Sequence, residues 1–240
     1  MTYSSESIEL TILLPTFNES STIEKMLDAI RNNLPDGISI EILIIDDNSP
    51  DGTSNIVNSY FEKSENNFSF KVHTRKNERG LSSAIIDGIR IANGKYVLIM
   101  DSDFSHPPQM IETMYHEIDN NELDIVIGSR YIQGGKSEDW PILRKLMSRL
   151  ANTIPKLILG LDVNDSMSGF FIIKKELIKN LTFQAIGWKI LLEILVKAKT
   201  SKIQEIPYSC KNRDEGESKF SFSIINDYFV LLRILMSYRK

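Results

Sequence analysis

VLIMDSDFSHPP, residues 97–108, is the stretch on which the fold turns. Four apolar residues, suited to a buried strand, run into Asp101, Ser102 and Asp103. Two carboxylates one residue apart repel each other and lose hydration if buried, so they must face water or meet a counter-charge. In extended chain Asp101 and Asp103 point to the same side, because the side-chain period is two. The Pro107-Pro108 pair then restarts the chain as a helix over residues 108–120.

Working outward, the first half of the chain alternates. Residues 8–14, 41–46, 70–74, 96–101 and 124–130 read as strands of nearly continuous Val, Ile and Leu. Between them, residues 20–34, 53–63, 81–92 and 108–120 carry apolar residues at helical spacing, with Ser20 or Ser21 as a candidate N-cap for the first. Unbroken apolar strands separated by helices of about a dozen residues predict an α/β fold, with a mostly parallel, Rossmann-like sheet and helices on both faces. Such sheets bind ligands outside the carboxyl ends of their strands. Those ends carry PTFNE (15–19), DDNSPDG (46–52), DSD (101–103) and GSR (128–130), so the polar chemistry of the first half gathers at one edge.

Composition narrows the class. The chain has 240 residues, 42% hydrophobic and 25% charged, with a formal net charge of −4. That is ordinary globular composition without the basic field that nucleic acid would require. A single cysteine, Cys210, excludes an internal disulfide framework and a Cys-based zinc cluster. The N-terminus lacks the pattern of a signal peptide, and no stretch approaches the ~20 apolar residues of a membrane span. The expectation is a soluble protein or one attached to a membrane surface.

Two carboxylates at a strand end suit a hard divalent cation such as Mg²⁺ or Mn²⁺, which keeps waters and is completed by phosphates. By itself a D-x-D is better explained as a solvated, capped turn. The surrounding motifs decide the matter. PTFNE, DDNSPDGT, GLSSAIIDGIRIANGKYVLIMDSDFSHPP, GSRY and RDEGESKF together resemble glycosyltransferase family 2, and within it the dolichol-phosphate mannose synthases and related polyprenyl-phosphate sugar synthases. The resemblance spans roughly residues 8–225. It implies a single GT-A domain over 1–240, with a nucleotide-sugar-binding half (1–130) and an acceptor half (131–240) containing amphipathic helices toward the C-terminus.

The resemblance also implies roles. Pro15, Phe17 and Glu19 match the stretch that holds the donor nucleotide; close relatives often have Tyr at the position of Phe17, where stacking survives and a hydroxyl is lost. Ile45 and Asp47 match positions that recognise base and ribose. Asp101 and Asp103 match the metal-binding pair, with the backbone at Ser102 near sugar or ribose. Ser105 stands where many relatives have a Gln that helps hold the metal. Arg130, Arg213 and Lys219 match basic residues that face phosphates, and Asp101, Asp103, Arg213 and Lys219 are the expected catalytic set. The implied reaction is inverting transfer of mannose from GDP-mannose to dolichyl or another polyprenyl phosphate. A UDP-glucose or UDP-GlcNAc donor, a saccharide hydroxyl acceptor and a non-catalytic nucleotide-binding subunit remain open at this point.

The second half fits a lipid acceptor. Residues 141–161 mix Arg144, Lys145, Arg149 and Lys156 with leucines, a basic amphipathic segment that Pro155 is expected to interrupt. Residues 186–199 predict a further helix, and the last twenty residues another with a wide apolar face, suited to the protein's own core as much as to a bilayer. Glu193 is either an acceptor-site acid or a helix salt-bridge partner. The expected location is cytoplasmic, peripheral at the cytoplasmic face of a membrane, with or without a separate membrane subunit.

Overall fold

The structure is a computed structural model that describes residues 7–63, 68–184, 187, 189–211 and 222–238, without the side chains of 222–225. In chain order the elements are β1 (Leu10–Thr16), α1 (Ile23–Arg31), β2 (Ile40–Asp46), α2 (Thr53–Lys63), β3 (Ser69–Thr74), α3 (Leu81–Ile91), β4 (Tyr96–Ile99), α4 (Met110–Asn120), β5 (Ile125–Ser129) and β6 (Lys136–Ser137). There follow α5 (Ile142–Leu159), β7 (Phe171–Lys174), α6 (Lys175–Ile178), α7 (Ile190–Ala198), β8 (Ile203–Pro207), β9 (Ser209–Cys210) and α8 (Phe222–Met236).

Seven strands form one sheet in the order β3-β2-β1-β4-β7-β5-β8. All neighbours are parallel except β7, which runs antiparallel to both β4 and β5. The strand order turns back between β1 and β4, which is the switch point where such sheets open a crevice at their carboxyl ends. Continuous apolar strands have two buried faces, and each face has its own core. Leu10, Ile12 and Leu14 of β1 pack with Ile23, Met26, Ile111 and Met114 of α1 and α4. Leu13, Leu43 and Ile45 pack against Ile85, Ile89, Leu191 and Ile194 of α3 and α7. The polar exceptions in the strands are satisfied: Thr11 Oγ1 donates to Glu41 at 2.7 Å and accepts from the Gly94 amide at 2.9 Å.

Several local expectations change. Residue Thr22, not Ser20 or Ser21, precedes the first turn of α1, and its side chain makes no capping hydrogen bond. The β4 strand ends at Ile99 and α4 begins at Met110, so residues 101–106 bend as a loop instead of continuing extended. Phe104 is left-handed there, with φ of 60°. The alternation argument for Asp101 and Asp103 therefore does not apply; the turn itself sets their placement. Pro155 lies inside a continuous α5, which stops instead at left-handed Gly160 (φ 70°). Proline removes the amide that would bond the Ala151 carbonyl, and the Tyr228 hydroxyl takes that carbonyl at 2.9 Å.

Tyr228 belongs to α8, whose Leu231, Leu232 and Leu235 pack with Leu159, Leu192 and Val196 of α5 and α7. The C-terminal helix thus gives one face to the core, while Phe229 and Val230 stay exposed. By contrast α5 buries only Asn152, Pro155 and Leu159, and leaves Ile142 (87% exposed), Leu143, Leu146, Leu150 and Leu157 in solvent. Among the described residues no helix is long and apolar enough to cross a membrane.

Candidate active site at the carboxyl edge of the sheet

Three loops meet this edge beside the switch point, following β1, β2 and β4. After β1, buried Pro15 sits opposite Ile45 of β2, and Phe17 emerges 37% exposed with the Arg79 guanidinium 5.0 Å from its ring centre. The Glu19 amide donates to Thr53 Oγ1 at 3.0 Å, tying the loop to the start of α2, and the Glu19 carboxylate accepts from Thr22 Oγ1 at 3.0 Å. An exposed aromatic ring roofed by a guanidinium presents a stacking surface of the kind a nucleobase uses.

After β2, the two adjacent aspartates divide their work. Asp46 is fully buried and accepts from Thr16 Oγ1, from the Ser49 amide and hydroxyl, and from Ser54 Oγ at 2.6–3.0 Å. It closes the NSPDG turn. Asp47 accepts from Arg75 Nε at 2.7 Å and Nη2 at 2.6 Å on Oδ1, and from the Gly80 amide at 2.8 Å on Oδ2. Arg75, 3% exposed, also bonds Asp87 and Ser83 at 3.0 Å. Asp47 thus anchors Arg75 and the 76–80 loop carrying Arg79, while retaining lone pairs for a ligand. Ile45 is fully buried between the sheet and α3, so its side chain faces the core and not the crevice.

After β4, the D-x-D loop is tied internally. Asp103 Oδ1 accepts from the Ser105 amide at 3.0 Å, an Asx-type turn, and the Asp101 amide donates to His106 Nδ1 at 2.8 Å. Ser102 and Ser105 are buried, whereas the Asp101 side chain keeps 25% of its surface in solvent. The opposing wall is the 165–169 loop leading into β7. A Cβ on Gly169 would stand 3.2 Å from His106 Cε1 and 3.8 Å from Asp101 Oδ2, so a side chain there would press on the His106 ring. Among the described residues no three His, Cys, Asp or Glu side chains gather around one point. Two carboxylates and a nearby serine fit a hard, oxygen-seeking cation that keeps waters and takes phosphate oxygens, and do not fit zinc.

After β5, Arg130 is held by Asp165: Nε and Nη2 each donate at 2.8 Å, and the Arg130 amide donates at 2.9 Å. Asp165 is fully buried, and the Arg130 side chain 10% exposed. Burial opposes the guanidinium charge, but the Asp165 carboxylate outweighs it and raises Arg130 well above the ordinary arginine value. The expected phosphate-facing cation is therefore already neutralised by a carboxylate. Around it lie Tyr131 (5.5 Å) and Trp140 (5.4 Å), with Arg144 stacked 3.8 Å from the Trp140 ring. Tyr131 Oη and Trp140 Nε1 are buried and find no hydrogen-bond partner among the described residues.

Arg213 and Lys219 lie outside the described residues. Glu193 is placed: buried on α7, it pairs with Lys197 at 2.6 Å and accepts from the Gln184 amide at 2.7 Å, a helix ion pair. Sequence reading missed Arg75 and the pairing of Asp165 with Arg130. Arg75 follows a strand end as the other polar residues do, which was a usable signal. Asp165 lies 35 residues from Arg130, and nothing local announces that pairing.

Comparison with known proteins identifies the family and the fold. Residues 11–182 match the profile of Glycosyl transferase family 2. A dolichol-phosphate mannosyltransferase of Pyrococcus furiosus is 39% identical over 96% of this chain, which spans 64% of that protein. The yeast protein of the same name (Saccharomyces cerevisiae) is 31% identical over 97% of this chain and 89% of its own length. An undecaprenyl-phosphate mannosyltransferase of Micrococcus luteus is 30% identical over 91% of this chain and 90% of its own. Among solved structures, glucosyl-3-phosphoglycerate synthase of Mycobacterium tuberculosis with UDP superimposes with a TM-score of 0.69 over 97% of this chain and 80% of that one, at 17% identity. The same enzyme with Mn²⁺, UDP-glucose and glycerol 3-phosphate gives 0.67 over the same shares at the same identity. These structures share the GT-A fold expected from the sequence. The chain belongs to glycosyl transferase family 2.

Proposed function

We propose that this protein transfers mannose from GDP-mannose to a polyprenyl phosphate such as dolichyl phosphate, with inversion and with Mg²⁺ or Mn²⁺. The observation that carries the reading is the acidic Asp101–Asp103 loop at the switch point, beside the exposed ring of Phe17. The names of the similar mannosyltransferases support the sugar and the lipid class.

In this reading Phe17 stacks the base, Pro15 and Glu19 shape the loop beneath it, and Asp47 accepts from base or ribose while fixing Arg75. Ile45 contributes from the core by holding the β2 end in register. Asp101 and Asp103, with Ser105, hold the metal, and Ser102 lies against sugar or ribose. A cation bound there offsets the negative charge that develops on the leaving diphosphate. Arg213 and Lys219 are assigned the same diphosphate on the resemblance alone. Arg130, neutralised by Asp165, acts by holding Tyr131 and Trp140 in place. A lipid phosphate is anionic at neutral pH and needs little base assistance, in keeping with Glu193 being committed to Lys197.

The acceptor half (131–240) then offers the lipid its approach. The solvent-facing leucines of α5, interleaved with Arg144, Lys145 and Arg149, suit an anionic bilayer surface. We place the enzyme as a peripheral protein at the cytoplasmic face, alone or beside a membrane subunit. The test is incubation with radiolabelled GDP-mannose, UDP-glucose and UDP-GlcNAc, Mg²⁺ or Mn²⁺, and dolichyl phosphate. Label entering the organic phase from GDP-mannose alone supports the reading; no lipid-linked product from any donor overturns it.

A further inference from the structure

His106 stands behind the acidic pair and makes no appearance in the reaction above. The Asp101 amide can only donate, so His106 Nδ1, 2.8 Å away, accepts and carries no proton. In the neutral ring the proton is then on Nε2, which lies 3.9 Å from Asp101 Oδ2. One ring thus addresses both the backbone and the carboxylate of the same aspartate. The ring is itself clamped. It stacks on Phe170 at 5.0 Å with planes 8° apart, meets the Tyr208 ring edge-on at 5.9 Å, and abuts Gly169 on the facing loop. Its side chain is 5% exposed, and Pro107 restricts the backbone that follows it.

We infer that His106 is a positioning residue: it fixes the Asp101 backbone through Nδ1, and so the direction of the Asp101 carboxylate, for a divalent cation. The inference rests on the reading of Asp101 as a metal-holding residue. It also explains why the 165–169 loop approaches so closely. Phe170 and Gly169 hold the ring that holds Asp101, so the segment between α5 and β7 sets the geometry of the loop after β4.

Packing alone would account for a buried histidine equally well, and the two roles order variants oppositely. His106→Leu retains apolar bulk and loses the acceptor; His106→Asn loses bulk and retains an acceptor oxygen near the Nδ1 position. The experiment titrates Mn²⁺ into the full chain with GDP present, reading free Mn²⁺ by electron paramagnetic resonance, with no sugar transfer involved. The expected result is Mn²⁺ binding weakened roughly tenfold or more in His106→Leu and within about threefold of wild type in His106→Asn, while Asn has the lower melting temperature. His106→Phe, a second acceptor-free variant that keeps the stack on Phe170, should behave as Leu does. Wild-type affinity in Leu and Phe, or equal loss in Asn, overturns the positioning role alone. Absence of Mn²⁺ binding by the wild type overturns the metal reading and this inference with it.

Discussion

The Tyr228 hydroxyl donates to the Ala151 carbonyl at 2.9 Å, four residues before Pro155 in the same helix. That bond gives the Ala151 carbonyl the partner that Pro155 withholds, and adds to the apolar packing of α8 on α5. Tyr228→Phe should lower stability by about 1 kcal/mol in denaturant unfolding, since it strands a carbonyl inside the α5–α8 contact. In a Pro155→Ala background, where residue 155 regains its amide, the same change should cost less.

The pH dependence of that bond has a definite sign. Burial pushes the Tyr228 phenol from its usual 10.0 up to about 12. A folded value above the unfolded one means that the contribution is complete below pH 10 and is lost as pH rises through 12. The stability gap between wild type and Tyr228→Phe should hold steady over neutral pH and close between those two values. Unfolding curves along an alkaline series measure it.

Removing Asp165 should be severe. It is fully buried and leaves Arg130 charged without its partner. Asp165→Ala should cost ~3–5 kcal/mol, the usual penalty for an orphaned buried charge, and should therefore abolish activity through loss of structure. Arg130→Lys, lacking the bidentate fork, should fall between wild type and Asp165→Ala in melting temperature.

Glu193→Gln should retain transfer activity to within a few-fold while lowering the melting temperature, because Glu193 serves Lys197 and the Gln184 amide. A loss of kcat by a hundredfold, with the fold intact, would return Glu193 to the reaction as a base and favour a hydroxyl acceptor over a phosphate.

Asp103→Ala should eliminate transfer with the melting temperature nearly unchanged, since the side chain it removes is part-exposed and accepts from the Ser105 amide within a local turn. Phe17→Ala should weaken GDP binding by roughly tenfold, the scale of one lost base–aromatic stack. Equilibrium binding with fluorescent GDP reads this without any acceptor.

Much of this was legible in the amino-acid chain. The strands with two buried faces announce themselves as unbroken apolar runs, and the residues after β1, β2, β4 and β5 fall at one edge because a parallel sheet puts them there. The antiparallel β7 was not legible as such: FIIK is four residues long, and nothing in it distinguishes an inserted strand from a buried turn. The edge strand β8, IQEIP, lacks a continuous apolar run because one side meets solvent. In the site, types and order of residues were readable, but the occupancy of their charges was not. Asp47 and Arg130 look alike as exposed ionic groups until Arg75 and Asp165 are seen to hold them. Such pairs join segments tens of residues apart.

The inserted β7 also governs how the chain acquires its shape as it is made. Among the described residues β5 pairs with β7 and β8, and β4 finds its second neighbour in β7. Until residues 171–174 have been synthesised, β5 lacks both of its neighbours among the described strands and β4 presents a bare, apolar edge. The first four strands can assemble early, but they do so beside a hazard for intermolecular pairing. A fragment ending before residue 171 should aggregate, and one extended through β8 should not.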